Sequence, residues 1–585
     1  MRKTLSILLC VMMLLSACTF AIPANAAPEG TAINTADEFM AMVSSAADAT
    51  EPTAKYYLAA DITLAATYEA PFYGILDGNG KTLTVSNPIF ADFSGEVKNL
   101  TIKGEIYYTD MDAAAFATAS TKGYTATNVI NDANVTVMGN AKHVGGFSAR
   151  IVNNGDNDAA CYFINCVNNG DIYIDSTANE KMRAGGFAGI IDKCAFVNCT
   201  NNGDVYMKGN ICIGAGFVSR VGLTAGMNTA EAFNCVNNGN IKVEDTYISK
   251  DGVAGAGTGG ADAGGIFGHI GTASNAGWYK IWGCTNNGDV EGPYRVGGMV
   301  GYVYAANSTA FVDIQFCQQN GNLVYGRVNP NGTATNDYCG PFVGYTNSPF
   351  TTIKYCIDTG TISLVQNSTN ANDGMCFVGL SSADGTQYDV KGVYVLNKEQ
   401  YKYFTYNHQE KYLANCHEIA IAEGIYVTTL EEIKSGKVAY EINEAALVDD
   451  YGFASFDSED YAWAGFKTDD QFCFGQKIGT DNFPTANVTG ENWVVLNGTK
   501  YENGTKGAVE TTAAPETTKA PETEAPKETE APAETEAPAA DTEAPAQTNA
   551  PADTEPAKSG CGSFVAGGVA ILAILGTALV IKKRD

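Results

Sequence analysis

The sequence predicts an all-β chain whose middle is a parallel β-helix, or β-solenoid. Three observations predict this fold. A two-part motif returns at intervals of 33 to 49 residues, which is the range of stacked repeat architectures. Each copy is followed by a short strand in which apolar and polar residues alternate. Helix-period patterns are nearly absent between residues 128 and 364, whereas Gly and Asn punctuate that stretch throughout.

Residues 1–26 have the charged, apolar and small-residue zones of a secretory signal peptide. Cleavage after Ala26 is the expected outcome. The segment Leu15–Cys18 also resembles a bacterial lipobox, which would make Cys18 a lipidated first residue instead. Residues 27–127 are expected to form an N-terminal cap and the first coils.

The repeat array is expected to span residues 128–384. Its first motif is a cysteine followed two residues later by Asn-Asn-Gly or a variant of it. Copies of this motif begin at Cys166, Cys199, Cys235, Cys284, Cys317 and Cys356, with a degenerate early copy at residues 129–135. The second motif is a Gly-Gly pair before an apolar residue, and it begins at Gly145, Gly185, Gly264 and Gly297.

The strand after each turn has one apolar face, as where Ile172 and Ile174 flank Tyr173. A two-part repeat of this length favours about two coils per repeat. Equivalent positions in adjacent coils are about 4.8 Å apart, so the six repeated cysteines are expected to form a buried column. The second asparagine of each motif should hydrogen-bond along the turns, a role expected for Asn169, Asn202, Asn238 and Asn287.

The cysteine column is one of two explanations for the thiols. Disulfides in an exported protein are the other, involving Cys161 or Cys194 and a neighbour. A zinc site is disfavoured, because a column spreads its thiolates along an axis whereas zinc needs four converging ligands.

The Val296–Gly301 copy and its sisters resemble the GLUG-type repeats of bacterial adhesins and of some large surface peptidases. The opening stretch, with Phe72–Leu83 and Lys98–Ile102, resembles the first coils of pectate-lyase-like right-handed β-helices. The resemblance covers roughly residues 55–380 and implies a right-handed coil. It implies little about function, because such helices carry lyases, hydrolases and adhesive shafts alike.

Residues 385–505 are expected to form a small capping domain, and part of them could equally form a separate binding module. A short capped helix with a glycine stop is predicted over Thr429–Lys437. The stretch from Phe474 to Pro484 resembles a segment that often closes repeat arrays in clostridial surface proteins. The ends of a stack must differ from its middle, because the open end has to be covered.

Residues 506–560 are expected to be a disordered stalk that repeats Glu-Thr-Glu-Ala-Pro. Residues 510–558 carry 12 acidic and 3 basic side chains, a net of −9, which leaves −20 of the total −29 for the rest. This acidity argues against nucleic acid as a partner. Prolines and like charges favour an extended spacer of roughly 150 Å.

Residues 561–585 are expected to hold a transmembrane anchor and a basic cytoplasmic tail. The 19 uncharged residues from Ser563 to Ile581 would span about 28 Å as a helix. Lys582, Lys583 and Arg584 follow and belong on the cytoplasmic side. This arrangement predicts a single-pass protein of the bacterial cell membrane with its N-terminal part outside.

No motif for a catalytic, cofactor or metal site emerges. Asp77–Thr82 differs in spacing from a phosphate-binding loop and is interpreted as a turn. His417-Glu418 cannot open a zinc-peptidase motif, because Ile421 stands where the second histidine is needed. The four histidines are scattered, and no nucleophile elbow is near any of them; they are His143, His269, His408 and His417.

Cleavage of polysaccharide is the enzymatic alternative, because a β-helix groove can align carboxylates or bind calcium. The candidate carboxylates are Asp156, Asp171, Asp204 and Asp289. Three of them recur at one repeat position, which is typical of a turn residue rather than of a catalytic pair. The candidate binding aromatics are Tyr108, Tyr173, Tyr206, Tyr294 and Tyr304.

The sequence therefore favours a binding role over an enzymatic one. The expected function is a membrane-anchored display protein that binds glycans or proteins on host or neighbouring cells, like an adhesin. The alternatives are an extracellular polysaccharide lyase or glycoside hydrolase, and a passive structural coat component.

Overall fold

We describe the fold from a computed structural model of the chain. It describes residues 28–506 except 47–50, 152–159, 177–180, 223–227, 246–260, 272–276, 306–309, 328–336, 349, 367–386, 398–399, 401–423, 450–453 and 457–458. The chain divides into two units, Met1–Val509 and Glu510–Asp585, and every described residue lies in the first. The predicted signal peptide, nearly all of the stalk, and the predicted transmembrane helix lie outside the described residues. Within the described ranges, no helix is both long and apolar enough to cross a membrane.

The described chain winds as a stack of coils; the central coils contribute strands to four faces, and the coils at the two ends contribute described strands to two of them. One coil shows the path. Face 1 receives Cys161–Ile164, face 2 receives Val167–Asn168 and Ile172–Ser176, face 3 receives Met182–Gly185, and face 4 receives Ala188–Ile191. Each strand pairs in parallel with its counterpart in the next coil. The predicted parallel solenoid is confirmed.

The strands of face 1 are Thr31–Ile33, Lys55–Leu58, Phe72–Asp77, Phe90–Lys98, Tyr124–Thr127, Cys161–Ile164, Lys193–Val197, Asn228–Phe233, Gly277–Trp282, Ala310–Gln315, Phe350–Lys354 and Gln387–Lys391. The strands of face 2 are Ile62–Leu64, Thr82–Val85, Thr101–Thr109, Ile130–Gly139, Val167–Asn168, Ile172–Ser176, Thr200–Asn201, Val205–Gly209, Val236–Asn237, Ile241–Asp245, Thr285–Asn286, Val290–Gly292, Gln318–Gln319, Leu323–Tyr325, Ile357–Asp358, Ile362–Leu364, Val393–Val395 and Ile425–Val427.

The strands of face 3 are Ala113–Ala114, His143–Gly145, Met182–Gly185, Cys212–Ala215, Asp262–Gly264, Arg295–Gly297 and Tyr338–Gly340. The strands of face 4, which also takes the start of Phe90–Lys98, are Ala117–Ser120, Ser148–Ile151, Ala188–Ile191, Val218–Val221, Phe267–Ile270, Val300–Val303 and Val343–Thr346.

Each sequence repeat makes one coil, so the expectation of two coils per repeat is wrong. Cys161 pairs in register with Cys194, and Val167 pairs with Thr200, 33 residues further on in both cases. The two motifs do not start separate coils. The Asn-Asn-Gly motif turns within face 2, and the Gly-Gly motif turns from face 3 to face 4 of the same coil.

Aromatic and aliphatic side chains fill the interior as columns along the axis. Phe163 stacks on Phe196 with ring centroids 4.9 Å apart, and Phe147 stacks on Phe187 at the same distance. All four rings are fully buried. At the N-terminal end, Phe39 of the helix Ala36–Met40 packs against the first coils. This short helix was not predicted.

The C-terminal region combines helices with two antiparallel hairpins. The helices are Leu430–Lys434, Lys437–Leu447 and a 3-10 turn at Glu459–Ala464. The hairpins pair Cys473–Gly475 with Thr485–Asn487, and Val494–Asn497 with Lys500–Asn503. The predicted capped helix is confirmed, because the Thr429 hydroxyl accepts from the Glu432 N–H while the Glu432 carboxylate accepts from the Thr429 N–H. The helix Lys437–Leu447 was not predicted.

This region lies against the flank of the stack, beside the corner between faces 1 and 2. Phe456 packs edge-on against Phe233, with ring centroids 5.3 Å apart. The Lys280 ammonium donates to the Tyr461 hydroxyl at 2.6 Å. The contacts extend over successive coils from Tyr162 to Tyr394. The described part of the predicted capping domain therefore covers a side of the solenoid, and the covering of its open end stays a prediction.

Candidate functional site

The repeated cysteines and asparagines build face 2 and its corners. All six cysteines of the predicted column are buried and free. The Cys199 thiol donates to the Phe163 carbonyl of the preceding coil at 3.2 Å, and burial raises the pKa of Cys166 and Cys235 well above the usual thiol value. The predicted column is confirmed, and its thiols have packing roles. Cys161 and Cys194, the disulfide candidates, are also free.

The predicted exposed amide ladder is confirmed as well. The Asn202 side chain donates to the Asn169 side chain at 2.7 Å, and Asn238 donates to Asn202 at 2.8 Å. Tyr173 lies on the exposed side of face 2, and its ring stacks on Tyr206 with centroids 4.9 Å apart. One face of each tyrosine ring is therefore covered by the other ring, which leaves less ring surface for a ligand.

A second, fully buried amide ladder was missed at the first asparagine of each motif. Asn201 accepts from the Asn168 amide, and its own amide donates to Asn237 Oδ1, in both cases at 2.8 Å. The same Asn201 amide also donates to the Gly203 carbonyl at 2.8 Å. The sequence did contain a signal for this buried ladder, because both asparagines of the motif recur. Recurrence alone, however, does not show that a polar residue is buried.

Three of the four candidate carboxylates, Asp171, Asp204 and Asp289, are turn residues. The Asp204 N–H donates to Asp171 Oδ1 at 2.8 Å, and the Asn322 N–H donates to Asp289 Oδ1 at 2.7 Å. These carboxylates support the next coil and are engaged by backbone groups. Asp156, the fourth candidate, lies outside the described residues, as do His408 and His417. Asp77–Thr82 also forms a turn, in which the Asn79 N–H donates to the Asp77 carboxylate.

A different cluster of charged and aromatic side chains lies between faces 3 and 4, and we call it the crease. The strands of these faces are joined by the Gly-Gly turn, which folds them closely together. A Cβ on Gly268 would stand 2.8 Å from Ile213 Cγ2 and 2.9 Å from the Gly214 carbonyl oxygen, so glycine permits the approach. The crease is formed by Asp112, His143, Arg150, Lys181, Arg183, Arg220, Asp262, His269, Tyr294, Arg295, Tyr302, Tyr304, Tyr338 and Tyr345.

Asp262, His269 and Arg295 form the centre of the crease. Asp262 Oδ2 lies 2.9 Å from His269 Nδ1, and Asp262 Oδ1 accepts from the Arg295 guanidinium at 3.2 Å. Burial raises the pKa of Asp262 to about 6, against the lowering effect of Arg295 and Arg220. Burial and the same two arginines hold the pKa of His269 well below its usual range. At neutral pH, therefore, a neutral imidazole faces a carboxylate.

Further cations surround this centre. Arg220 donates to the Gly222 and Gly271 carbonyls at 3.1 and 2.9 Å. Burial lowers its pKa to about 10, so its guanidinium remains charged at neutral pH. Lys181 is close enough to Asp262 and His269, and Arg183 is close enough to His269, for their charges to shift the titration of those groups.

A second histidine–aspartate pair lies further toward the N-terminus. His143 Nδ1 lies 2.8 Å from Asp112 Oδ2, and Arg183 Nη1 lies 3.0 Å from His143 Nε2. Burial raises the pKa of Asp112, but the hydrogen bonds and charge of His143 outweigh it and the net pKa is lowered. The sequence shows His143 and His269 as isolated residues, whereas the fold gives each one an aspartate from a different point of the chain.

Tyrosine rings enclose the Arg295 guanidinium. Its central carbon lies 3.8 Å from the ring centroid of Tyr302, 4.3 Å from that of Tyr294 and 4.8 Å from that of Tyr345. Such cation–π contacts favour arginine in a partly desolvated place. Of the candidate aromatics, Tyr294 and Tyr304 belong to the crease, whereas the Tyr108 hydroxyl donates to Asn87 at 3.0 Å.

Three buried nitrogen atoms of the crease lack a hydrogen-bond partner within the described part of the chain. They are His269 Nε2, Arg295 Nε and Arg183 Nε. With the Nδ1 proton directed to Asp262, His269 Nε2 carries a lone pair, and the arginine nitrogens are donors. Buried groups of this kind are costly unless satisfied, so the crease holds hydrogen-bonding groups that the fold itself leaves unused. No group of three or more potential metal-ligating His, Cys, Asp or Glu side chains occurs among the described residues.

No protein-family model, curated protein or solved structure matches the chain. The resemblance to GLUG-type repeats stays a prediction.

Proposed function

We propose that this chain is a membrane-anchored bacterial cell-surface display protein whose solenoid binds glycans or proteins on host or neighbouring cells. The observation that supports it is the crease, where cations and tyrosines of successive coils gather on a regular stack. The secretory signal, acidic stalk and apolar C-terminal segment read from the sequence support export and anchoring. The proposed fold also includes a right-handed coil and a covered C-terminal end. We propose the right hand because connections between parallel strands of one sheet are right-handed in nearly all proteins.

The first test is protease treatment of intact cells that produce the full-length chain. We expect release of one large acidic fragment by cleavage between residues 510 and 558, because an extended stalk is the accessible part. A matched variant that lacks residues 510–558 should stay on the cell under the same treatment. Release only after lysis would contradict surface display.

The second test is attachment of these cells to immobilised glycans and to host matrix proteins. The same assay is repeated with the variant that lacks residues 510–558, as the second format. Without the stalk the solenoid should extend less far from the cell, so attachment between cells should weaken although the binding surface is still present. If the protein is displayed but neither format attaches to any ligand, a passive structural coat component becomes the better account.

The second candidate function is cleavage of polysaccharide as a lyase or a glycoside hydrolase. The pair of His269 and Asp262 supports it, because a neutral imidazole beside a carboxylate can accept a proton. We would incubate the full-length protein with pectins, other uronates and host glycans and measure new reducing ends or unsaturated sugars. Activity that is lost in His269→Gln and kept in His143→Gln would favour this candidate, whereas no product with any glycan would exclude it for those substrates.

A further inference from the structure

We propose that the crease binds an acidic polysaccharide, with the sugar chain lying along the solenoid axis and its carboxylate or sulfate groups received by cations of successive coils. This inference rests on the proposed binding function and names its ligand class.

The local net charge of the crease is positive, opposite in sign to the net charge of the chain. Away from the stalk the protein carries a net charge of −20, from −29 in total and −9 in residues 510–558. Around the pair of Asp262 and His269 the fold gathers Lys181, Arg183, Arg220 and Arg295. Four positive charges and one carboxylate give a local net of +3 with His269 neutral. An anionic ligand is therefore attracted to this place and repelled by most of the remaining surface.

The cations follow the axis of the stack. On face 4, Arg150 stands in register with Ile190, which is in register with Arg220. On face 3, Arg183 and Arg295 are three coils apart through Ile213 and Asp262. Adjacent coils are about 4.8 Å apart, so positive charge is spread over several coils. A polymer with charged groups at regular intervals matches this row better than a single small anion does.

The binding chemistry is that of an oxyanion rather than of a neutral sugar. A neutral sugar is held by its stacking on a free aromatic face, but the faces of Tyr294, Tyr302 and Tyr345 already carry the Arg295 guanidinium. The exposed charges of Arg150 and Lys181 suit carboxylate or sulfate oxygens.

The test measures binding of the full-length protein in detergent to polygalacturonate, dextran sulfate and neutral dextran at low ionic strength. We expect binding to at least one anionic polymer, weakening with added salt, and none to neutral dextran. Binding of one anionic polymer alone would identify carboxylate or sulfate as the preferred group. Binding of neither polymer, or equal binding of neutral dextran, would overturn the proposal.

The double variant Arg150→Gln with Lys181→Gln locates the site. Both side chains are exposed, so the variant should fold, and we expect about tenfold weaker binding from the loss of two charge contacts. The matched control is Lys208→Gln with Lys242→Gln, which removes two positive charges from partly exposed, ion-paired side chains of face 2. Equal weakening in both double variants would refute the crease as the site.

A pH series sharpens the assignment. The groups that act on Asp262 are Arg295 of face 3, Arg220 and His269 of face 4, and Lys181, while Arg183 acts on His269. Protonation of Asp262 near pH 6 raises the local charge from +3 to +4. Dextran sulfate should therefore bind more tightly at pH 5 than at pH 7.5, and Asp262→Asn should make that difference smaller. An unchanged pH dependence in Asp262→Asn would contradict the role of this carboxylate.

These results separate the inference from the proposed function. Surface release and attachment that persist in the Arg150→Gln, Lys181→Gln variant would keep the display function and overturn the crease as its site. Loss of surface display with intact polymer binding in detergent would overturn the display function and keep the inference.

Discussion

Face 2 and the crease belong to the same coils but differ in how strictly they repeat. The buried position of face 2 is an amide in every coil from Asn131 through Asn286 to Gln319. The first crease position of face 3 changes at each step, through His143, Arg183, Ile213, Asp262, Arg295 and Tyr338. The stack therefore depends on the same residue type recurring on face 2 and tolerates different residues in the crease. A specific binding site requires such differences between coils.

The physical reason is hydrogen-bond satisfaction. An amide side chain has both donor and acceptor, so identical amides can satisfy each other along a column in a place that water does not reach. Replacing one member leaves its neighbours on both sides incomplete. Crease side chains find partners on several elements, and loss of one does not propagate along the axis.

The largest effect is expected for Asn201→Ala. The substitution removes the partner of the Asn168 amide and of Asn237 Oδ1, both fully buried. We expect a loss of about 3 kcal/mol in the free energy of unfolding, from the cost of unsatisfied buried groups. Urea unfolding followed by fluorescence measures it. The control is Asn202→Ala in the exposed ladder, where water replaces the lost bond; an equal loss in both variants would break the comparison.

A smaller effect is expected at the corner before each cysteine. Asn198 has a positive φ of 51°, and its side chain donates to Asn165 Oδ1 at 3.2 Å. Asn198→Ala should cost about 1–2 kcal/mol, because alanine lacks the local tolerance of asparagine for the left-handed region. Asn198→Gly keeps that backbone conformation and loses only the ladder bond, so urea unfolding should show it to be the milder change. The reverse order would mean that the ladder bond outweighs backbone strain.

The smallest effect on stability is expected in the crease. Arg150→Gln changes an exposed side chain at a position where the register partner Ile190 is not even polar. We expect the free energy of unfolding to change by no more than about 0.5 kcal/mol, while polymer binding weakens. A loss comparable to that of Asn201→Ala would show that the crease, like face 2, holds the stack together.

The sequence was sufficient to predict the repeated features of face 2 and insufficient to predict the crease. The recurring Cys-x-Asn-Asn-Gly motif predicted the parallel stack, the thiol column and the exposed amide ladder. It did not give the number of coils per repeat, which depends on where the Gly-Gly turn lies within a coil. His269 and Asp262 are only seven residues apart, but their pairing requires faces 3 and 4 to fold together at Gly265. A periodic sequence pattern cannot predict a site whose residues differ in every repeat.

The flank-bound C-terminal region has a mechanical consequence. It contacts coils from Tyr162, whose ring packs on Trp463, to Tyr394, whose hydroxyl donates to Glu441 at 3.0 Å. Tension on the chain beyond residue 506 therefore enters a body that is attached to many coils at once. Such a load is shared among contacts to several coils, whereas a chain attached to the final coil alone would load that coil first.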